Sequence, residues 1–228
     1  MRHAPAARLP AGLDAVLISH LHRDHLDRPT LRGLPAGARM LGPRGLAAAL
    51  RGDPRAQELD CGDVAQLAPG VTVTATPARH DNRRSPLERR ERGPALGFVV
   101  EGDGVRVYFA GDTDVFAGMQ RIGAPGLDVA LLPIAGWGPR LGPGHMDSAG
   151  AAQAAALLRP AVVIPIHWGT YLVAGLHRRD PGLLERPAQE FAQAVAAAPG
   201  VEVAVLRPGE TLRLGGRSRG APVGDGAA

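Results

Sequence analysis

In the stretch Ser19-His20-Leu21-His22-Arg23-Asp24-His25-Leu26-Asp27, the potential metal ligands His20, His22, Asp24 and His25 fall within six consecutive positions. Imidazole and carboxylate together suit zinc, and also iron or manganese. The preceding Ala15-Val16-Leu17-Ile18 is apolar and β-prone, which predicts a buried strand running straight into the cluster. After it, Arg28-Pro29-Thr30-Leu31 reads as a short helix start, with Asp27 as cap and Pro29 in the first turn. The ligands are thus expected on a loop at the carboxyl end of a strand, held by rigid elements on either side. A polar surface turn is the bland alternative, but a strand mouth has no structural need for three histidines and an aspartate.

The pattern His20-x-His22-x-Asp24-His25 resembles the signature of the metallo-β-lactamase superfamily. That resemblance implies an α/β (α+β) fold, an αββα sandwich, with a dinuclear metal site and hydrolase activity. The His-x-His pair resembles ligands of one metal, and Asp24 and His25 resemble ligands of the second. Such a site also takes ligands from distant segments, and further elements offer them. Val71–Thr76 alternates apolar and hydroxyl residues, a half-buried strand, and is followed by His80 in a loop, where the family places a third ligand of the first metal. Leu96–Glu101 and Val105–Ala110 predict a hairpin around Gly102-Asp103-Gly104. Its second strand delivers Gly111-Asp112-Thr113, similar to the family segment whose aspartate bridges two metals. Asp114 is expected to cap a helix beginning near Val115, leaving Asp112 free for metal.

Leu127–Ile134 reads as a buried strand entering a Gly/Pro-rich loop that contains Trp137 and ends at His145. Asp147 is the expected N-cap of a helix over Ser148–Leu158, where alanines favour helix. The strand Ala161–Ile166 ends in His167-Trp168-Gly169-Thr170, and His167 matches the last ligand of the second metal. His167-Trp-Gly-Thr, with His145-Met146-Asp147, resembles the branch that holds N-acyl-phosphatidylethanolamine phospholipase D and ascorbate-phosphate lactonase relatives. In that branch a histidine that binds no metal borders the substrate, the place His145 would take. The loop after His80 departs from those phospholipases, reading Asp81-Asn82-Arg83-Arg84 where they carry aromatic residues and an arginine, so their substrate does not carry over.

The remaining chain predicts a helix near Arg44–Arg51, a hairpin of Gln57–Leu59 with Val64–Leu67 around Cys61-Gly62-Asp63, a helix over Pro187–Ala197, and strands at Val201–Leu206 and Thr211–Leu214. The charged, proline-bounded loop Asn82–Pro94 has the length of a substrate lid. The hydrolase domain is expected to span residues 1–214, with Gly215–Ala228 a disordered tail. Only about a dozen residues precede the first strand, fewer than the family's usual strand-rich start. The resemblance therefore implies a chain shortened at its N-terminus, with strands missing from the first sheet.

Composition narrows the partners. A chain of 228 residues with 45% hydrophobic residues suits one core, and no apolar run is long enough to span a bilayer. A cytoplasmic location follows by default. The single cysteine, Cys61, excludes an internal disulfide. The net charge is +4 and the pI about 10.4, but the basic residues are all arginine and scattered, and aromatics are only 4%. A nucleic-acid footprint would cluster them, so a small-molecule substrate is expected. Arg79 and Arg83 beside His80, and the isolated His3 and His177, read as surface residues.

The resemblance implies the following assignment. His20, His22 and His80 hold one divalent ion, Asp24, His25 and His167 the other, and Asp112 bridges them. The ions are expected to be zinc, with manganese or iron as alternatives, sharing a hydroxide that attacks a small ester, lactone or phosphodiester. Asp24 would also orient that hydroxide. His145 would protonate the leaving group or contact substrate, or simply pack its loop. The alternatives are a ribonuclease Z-like nuclease and an inactive metal-binding fragment. Oligomeric state is not written in the sequence.

Overall fold

The structure, a computed structural model, describes residues 12–81, 93–197 and 200–214. His3, Arg83, most of the expected lid after Asp81 and the expected tail lie outside the described residues. Strands β1 (Ala15–Leu17), β2 (Arg39–Pro43) and β3 (Ala56–Leu59) form a parallel three-stranded sheet in that order. The second sheet has seven strands: β4 (Val64–Ala68), β5 (Val71–Pro77), β6 (Leu96–Gly102), β7 (Val105–Phe109), β8 (Val129–Pro133), β9 (Val162–Ile166) and β10 (Glu202–Val203). From β4 to β7 it is an antiparallel meander, and from β7 to β10 it is parallel. The parallel half needs crossovers, and helices supply them.

Alternation along β2 shows how the layers are made. Met40 joins a cluster with Leu31 and Leu34, under α1 (Arg28–Arg32), and with Leu46 and Ala49 of α2 (Leu46–Ala49). Its neighbour Leu41 faces the other way, into a cluster with Val73, Ala75, Leu96 and Phe98 of the larger sheet. The two sheets therefore pack face to face. On the far face of the larger sheet lie α3 (Met119–Gly123), α4 (Ser148–Leu158) and α6 (Arg186–Ala196), around Tyr108, Leu132, Phe191 and Val195. The layering is helix, sheet, sheet, helix, the expected sandwich.

Capping follows the sequence at two helices. The Asp27 carboxylate accepts from Thr30 N at 3.0 Å to open α1, and Asp147 accepts from Gly150 N at 2.8 Å to open α4. Three expectations fail. β3 and β4 are no hairpin: β3 pairs with β2 in the smaller sheet, while the turn at Asp60–Asp63 already bonds to β5, Gly62 N to Ala75 O at 2.8 Å and Ala75 N to Asp63 O at 2.9 Å. Asp114 caps no helix, because its carboxylate takes Val115 N at 2.7 Å and α3 starts only at Met119. Thr211–Leu214 forms no strand, and β10 is two residues long; Leu214 is exposed.

Between β9 and α6 the chain makes a short helix, α5 (Leu176–Arg179), and a 3-10 turn at Pro181–Leu184. α3 meets the C-terminal end of α4 backbone to backbone at Gly123, where a Cβ would stand 2.1 Å from Leu158 O and 2.7 Å from Leu158 Cα. No flexible side chain can yield there. Gly123→Ala is expected to cost about 3 kcal/mol, read as a fall of roughly 6–12 °C in melting temperature. An unchanged melting curve would contradict this packing.

Candidate metal centre

The chain ends of four strands converge on one edge of the sandwich. β1 runs out through the buried Ser19 and His20, β5 leads to His80, β7 to Asp112 and β9 to His167. Loop-to-loop bonds hold them in register. Leu96 N donates to Ser19 O at 2.8 Å, and the fully buried Thr113 ties two of the loops, its Oγ1 accepting from Arg79 N at 2.9 Å and donating to Asp114 O at 2.8 Å.

One group consists of His20, His22 and His80. His22 Nδ1 lies 3.1 Å from His20 Nε2 and 3.1 Å from His80 Nε2. His80 Nδ1 donates to Gly144 O at 2.8 Å, so its Nε2 is a bare lone pair when the ring is neutral. His20 Nδ1 is engaged by Ser19 Oγ at 3.0 Å. A single proton on His22 Nδ1 cannot serve two lone pairs, whereas a cation can. Bonds of 2.0–2.1 Å in a tetrahedron set nitrogens ~3.3 Å apart, close to what is seen. Burial lowers the pKa of His20 to about 2, helped by His25, and burial likewise lowers those of His22 and His80. All three are neutral near pH 7, the state that ligates.

The second group is Asp24, His25 and His167, whose candidate ligand atoms lie within 4.8 Å of one another. Asp112 Oδ2 stands between the groups, 3.9 Å from His20 Nε2, 3.2 Å from His25 Nε2 and 3.4 Å from His167 Nε2. Among the described residues, Asp112 Oδ1 and His25 Nε2 are buried without a hydrogen-bond partner. Orphaned buried polar atoms are costly unless something fills the space between them. The donor set, imidazole with carboxylate, fits zinc, manganese or iron.

Opposite charges face one another within the second group. Burial by itself would lower the His167 pKa, but the Asp24 and Asp112 carboxylates, 3.9 and 3.4 Å from its Nε2, raise it to about 9. Burial would raise both carboxyls, yet the facing imidazoles hold Asp24 and Asp112 well below the usual carboxylate range. His167 Nδ1 donates to Ala135 O at 2.6 Å, so the extra proton sits on Nε2, the atom that would ligate. Metal uptake has to expel it. Titrating metal-free protein with Zn2+ near pH 7 is expected to release about one proton from this residue, and the release should fade as pH rises through about 9. Proton release that stays constant across that pH range would remove His167 from the ligand set.

His145, the remaining sequence candidate, is brought to the same place. Its Nδ1 donates to Gly142 O at 3.1 Å, and its Nε2 points inward, 3.7 Å from Asp112 Oδ2. Its ring meets that of His80 edge-on at 4.6 Å. All eight candidates, His20, His22, Asp24, His25, His80, Asp112, His145 and His167, therefore share one cluster. By contrast Cys61 is exposed and takes no part. Sequence reasoning missed the positioning residues. Gly144 approaches the His80 backbone so closely that a Cβ there would stand 2.8 Å from Arg79 O and 3.1 Å from His80 Cα, and its φ is +79°. Trp137 Nε1 donates to Asp24 Oδ2 at 3.2 Å. The only signal for Trp137 was a tryptophan in a Gly/Pro-rich loop.

A sandwich of this layering with a His/Asp cluster at its strand ends is the architecture of metal-dependent enzymes. A family model described as a beta-lactamase superfamily domain matches residues 1–168. The chain belongs to that superfamily and, within it, to the UPF0173 metal-dependent hydrolases. A member from Pyrobaculum calidifontis is 36% identical over 87% of this chain and 80% of its own, and one from Archaeoglobus fulgidus is 34% identical over 93% and 87%. Among solved structures, Igni18, a metallo hydrolase from the archaeon Ignicoccus hospitalis, is 32% identical with a TM-score of 0.70, covering 90% of this chain and 80% of that one. CmlA, a diiron β-hydroxylase from Streptomyces venezuelae, shares the fold at a TM-score of 0.68 and 19% identity, over 90% of this chain and 46% of that one.

Proposed function

We propose that this chain hydrolyses a small ester, lactone or phosphodiester with two divalent ions, zinc in the first instance. His20, His22 and His80 bind one ion, Asp24, His25 and His167 the other, and Asp112 lies between. The observation that carries the reading is the position of Asp112 Oδ2, within 4 Å of nitrogens from both groups. Because the same fold also carries a hydroxylase, the reaction is argued from the site and the family, and the substrate from the site alone.

Bound divalent ions supply Lewis acidity and a water acidic enough to attack near neutral pH. The chain's own groups do the rest. Hydrogen bonds from His80 and His167 to Gly144 and Ala135 fix the rings, so that Nε2 faces inward in each. Asp24, held by Trp137, is placed to orient the attacking water. His145 donates its Nδ1–H to Gly142 O and presents the Nε2 lone pair to the reacting group, where it can take a proton from the attacking water and hand that proton on to the departing oxygen. It also lines a cavity of about 580 Å³, with Asp114, Arg186 and Glu190, that has room for a leaving group.

The test is metal-stripped protein reconstituted with Zn2+, Mn2+ or Fe2+, with metal content measured by elemental analysis and turnover on an ester, a lactone and a phosphodiester. Two ions per chain with metal-dependent hydrolysis of at least one class is the expected result. One ion per chain, or turnover unchanged by chelation, would refute the dinuclear reading.

A further inference from the structure

Aromatic residues are scarce here: Phe, Trp and Tyr make up 4% of the chain, with two tryptophans and two tyrosines. Tyr108 is fully buried in the core. The other three, Trp137, Trp168 and Tyr171, line one small cavity together with Asp24, His25 and His167. Trp137 and Tyr171 are 47% and 39% exposed, and they stack on each other at 5.2 Å with their planes 20° apart. A chain this poor in aromatic rings would bury them in its core if stability were their role. Instead it leaves two of them facing solvent beside its most polar cluster.

The wall they make is rigid. Val173 N donates to Trp137 O at 2.9 Å, joining the loop after β8 to the loop after β9. Trp168 Nε1 donates to Pro165 O at 2.9 Å, and Trp137 Nε1 is held on Asp24. At the exit of β9, His167 itself adopts φ +61°, a left-handed conformation that is strained for a histidine and is the kind of outlier that gathers at functional sites. Among the described residues, the ionic groups lining the cavity are those of the candidate metal group, Asp24, His25 and His167, and the rest of the lining is Gly136, Thr170 and the three aromatic residues. Among the described residues, no arginine lines it to take a phosphate or carboxylate. The volume, about 190 Å³, is below the ~300–1,000 Å³ of pockets that enclose a whole drug-sized ligand. It suits one ring.

We infer that the cavity is a subsite for an uncharged aromatic or similarly flat apolar group attached directly to the scissile centre of the substrate. This rests on the hydrolytic reading above for the position of the scissile group, at Asp24, His25 and His167. The aromatic wall then favours aryl esters, aryl lactones or aryl phosphoesters over their small alkyl counterparts.

The experiment uses the zinc-loaded full chain and two probes with the same anionic head, phenylphosphonate and methylphosphonate, with binding measured by calorimetry and by tryptophan fluorescence. Phenylphosphonate is expected to bind at least ~10-fold more tightly, because a ring is removed from water against two others. Trp137→Ala and Tyr171→Ala should each bring the two probes to within about twofold of one another. Trp137→Phe should keep most of the preference, since the ring stays and only the bond to Asp24 is lost. Equal affinity of the two probes for the parent overturns the aromatic subsite and leaves the hydrolytic reading standing. Failure of both probes to bind overturns both. The parent comparison decides the matter even where a variant folds poorly.

Discussion

Asp112→Ala is expected to lose at least one metal ion per chain and to lower hydrolysis by roughly 10³-fold or more, exceeding the 10–100-fold typical of groups one shell further out. Its Oδ2 faces His20, His25, His145 and His167 at 3.2–3.9 Å, so removing it takes away the negative charge between the two proposed dications. The surrounding imidazoles stay, but their mutual repulsion around metal is no longer offset. Folding should suffer far less. In the metal-free protein Asp112 is a buried carboxylate whose Oδ1 has no hydrogen-bond partner among the described residues, and losing such a group removes desolvation cost as well as attraction. Elemental analysis beside a thermal melt separates the two effects. Equal metal content in variant and parent would sink the bridging role, and a large fall in stability with metal retained would make Asp112 a structural residue.

His145→Ala is expected to keep both ions and to reduce turnover by ~10²–10⁴-fold, the usual contribution of a proton-transfer group. The reduction should shrink for substrates with good leaving groups, which need less protonation. Its side chain is 24% exposed and its one polar anchor is Gly142 O, an atom water can satisfy, so stability should hardly change. Two other outcomes are informative. Loss of metal would make His145 a ligand, which its 3.7 Å approach to Asp112 allows. Loss of stability with full activity per folded molecule would reduce it to loop packing.

The sequence alone carried the local chemistry. His20-x-His22-x-Asp24-His25 is a contiguous pattern, and the strands that precede His80, Asp112 and His167 are short apolar runs whose side-chain period can be read directly. Helix α4 was legible to the residue, because Asp147 and an alanine run encode it locally. Two of the failures concerned which strand lies beside which. Gln57–Leu59 and Val64–Leu67 each read correctly as strands, but a strand's sequence does not name its neighbour, and they joined different sheets. Thr211–Leu214 has the right residue types and yet joins neither sheet.

The same division runs through the site. Residue types and spacing named the eight polar groups. Only the tertiary structure decided that His145 belongs in their cluster, and that Asp112 Oδ2 stands between the two groups. It also supplied what no pattern announces: the carbonyls of Ala135, Gly142 and Gly144 that orient three imidazoles, and the Trp137–Tyr171 wall. Backbone acceptors have no signature in sequence, since every residue carries one. Two aromatic residues 34 positions apart become neighbours only when parallel strands β8 and β9 release their loops side by side.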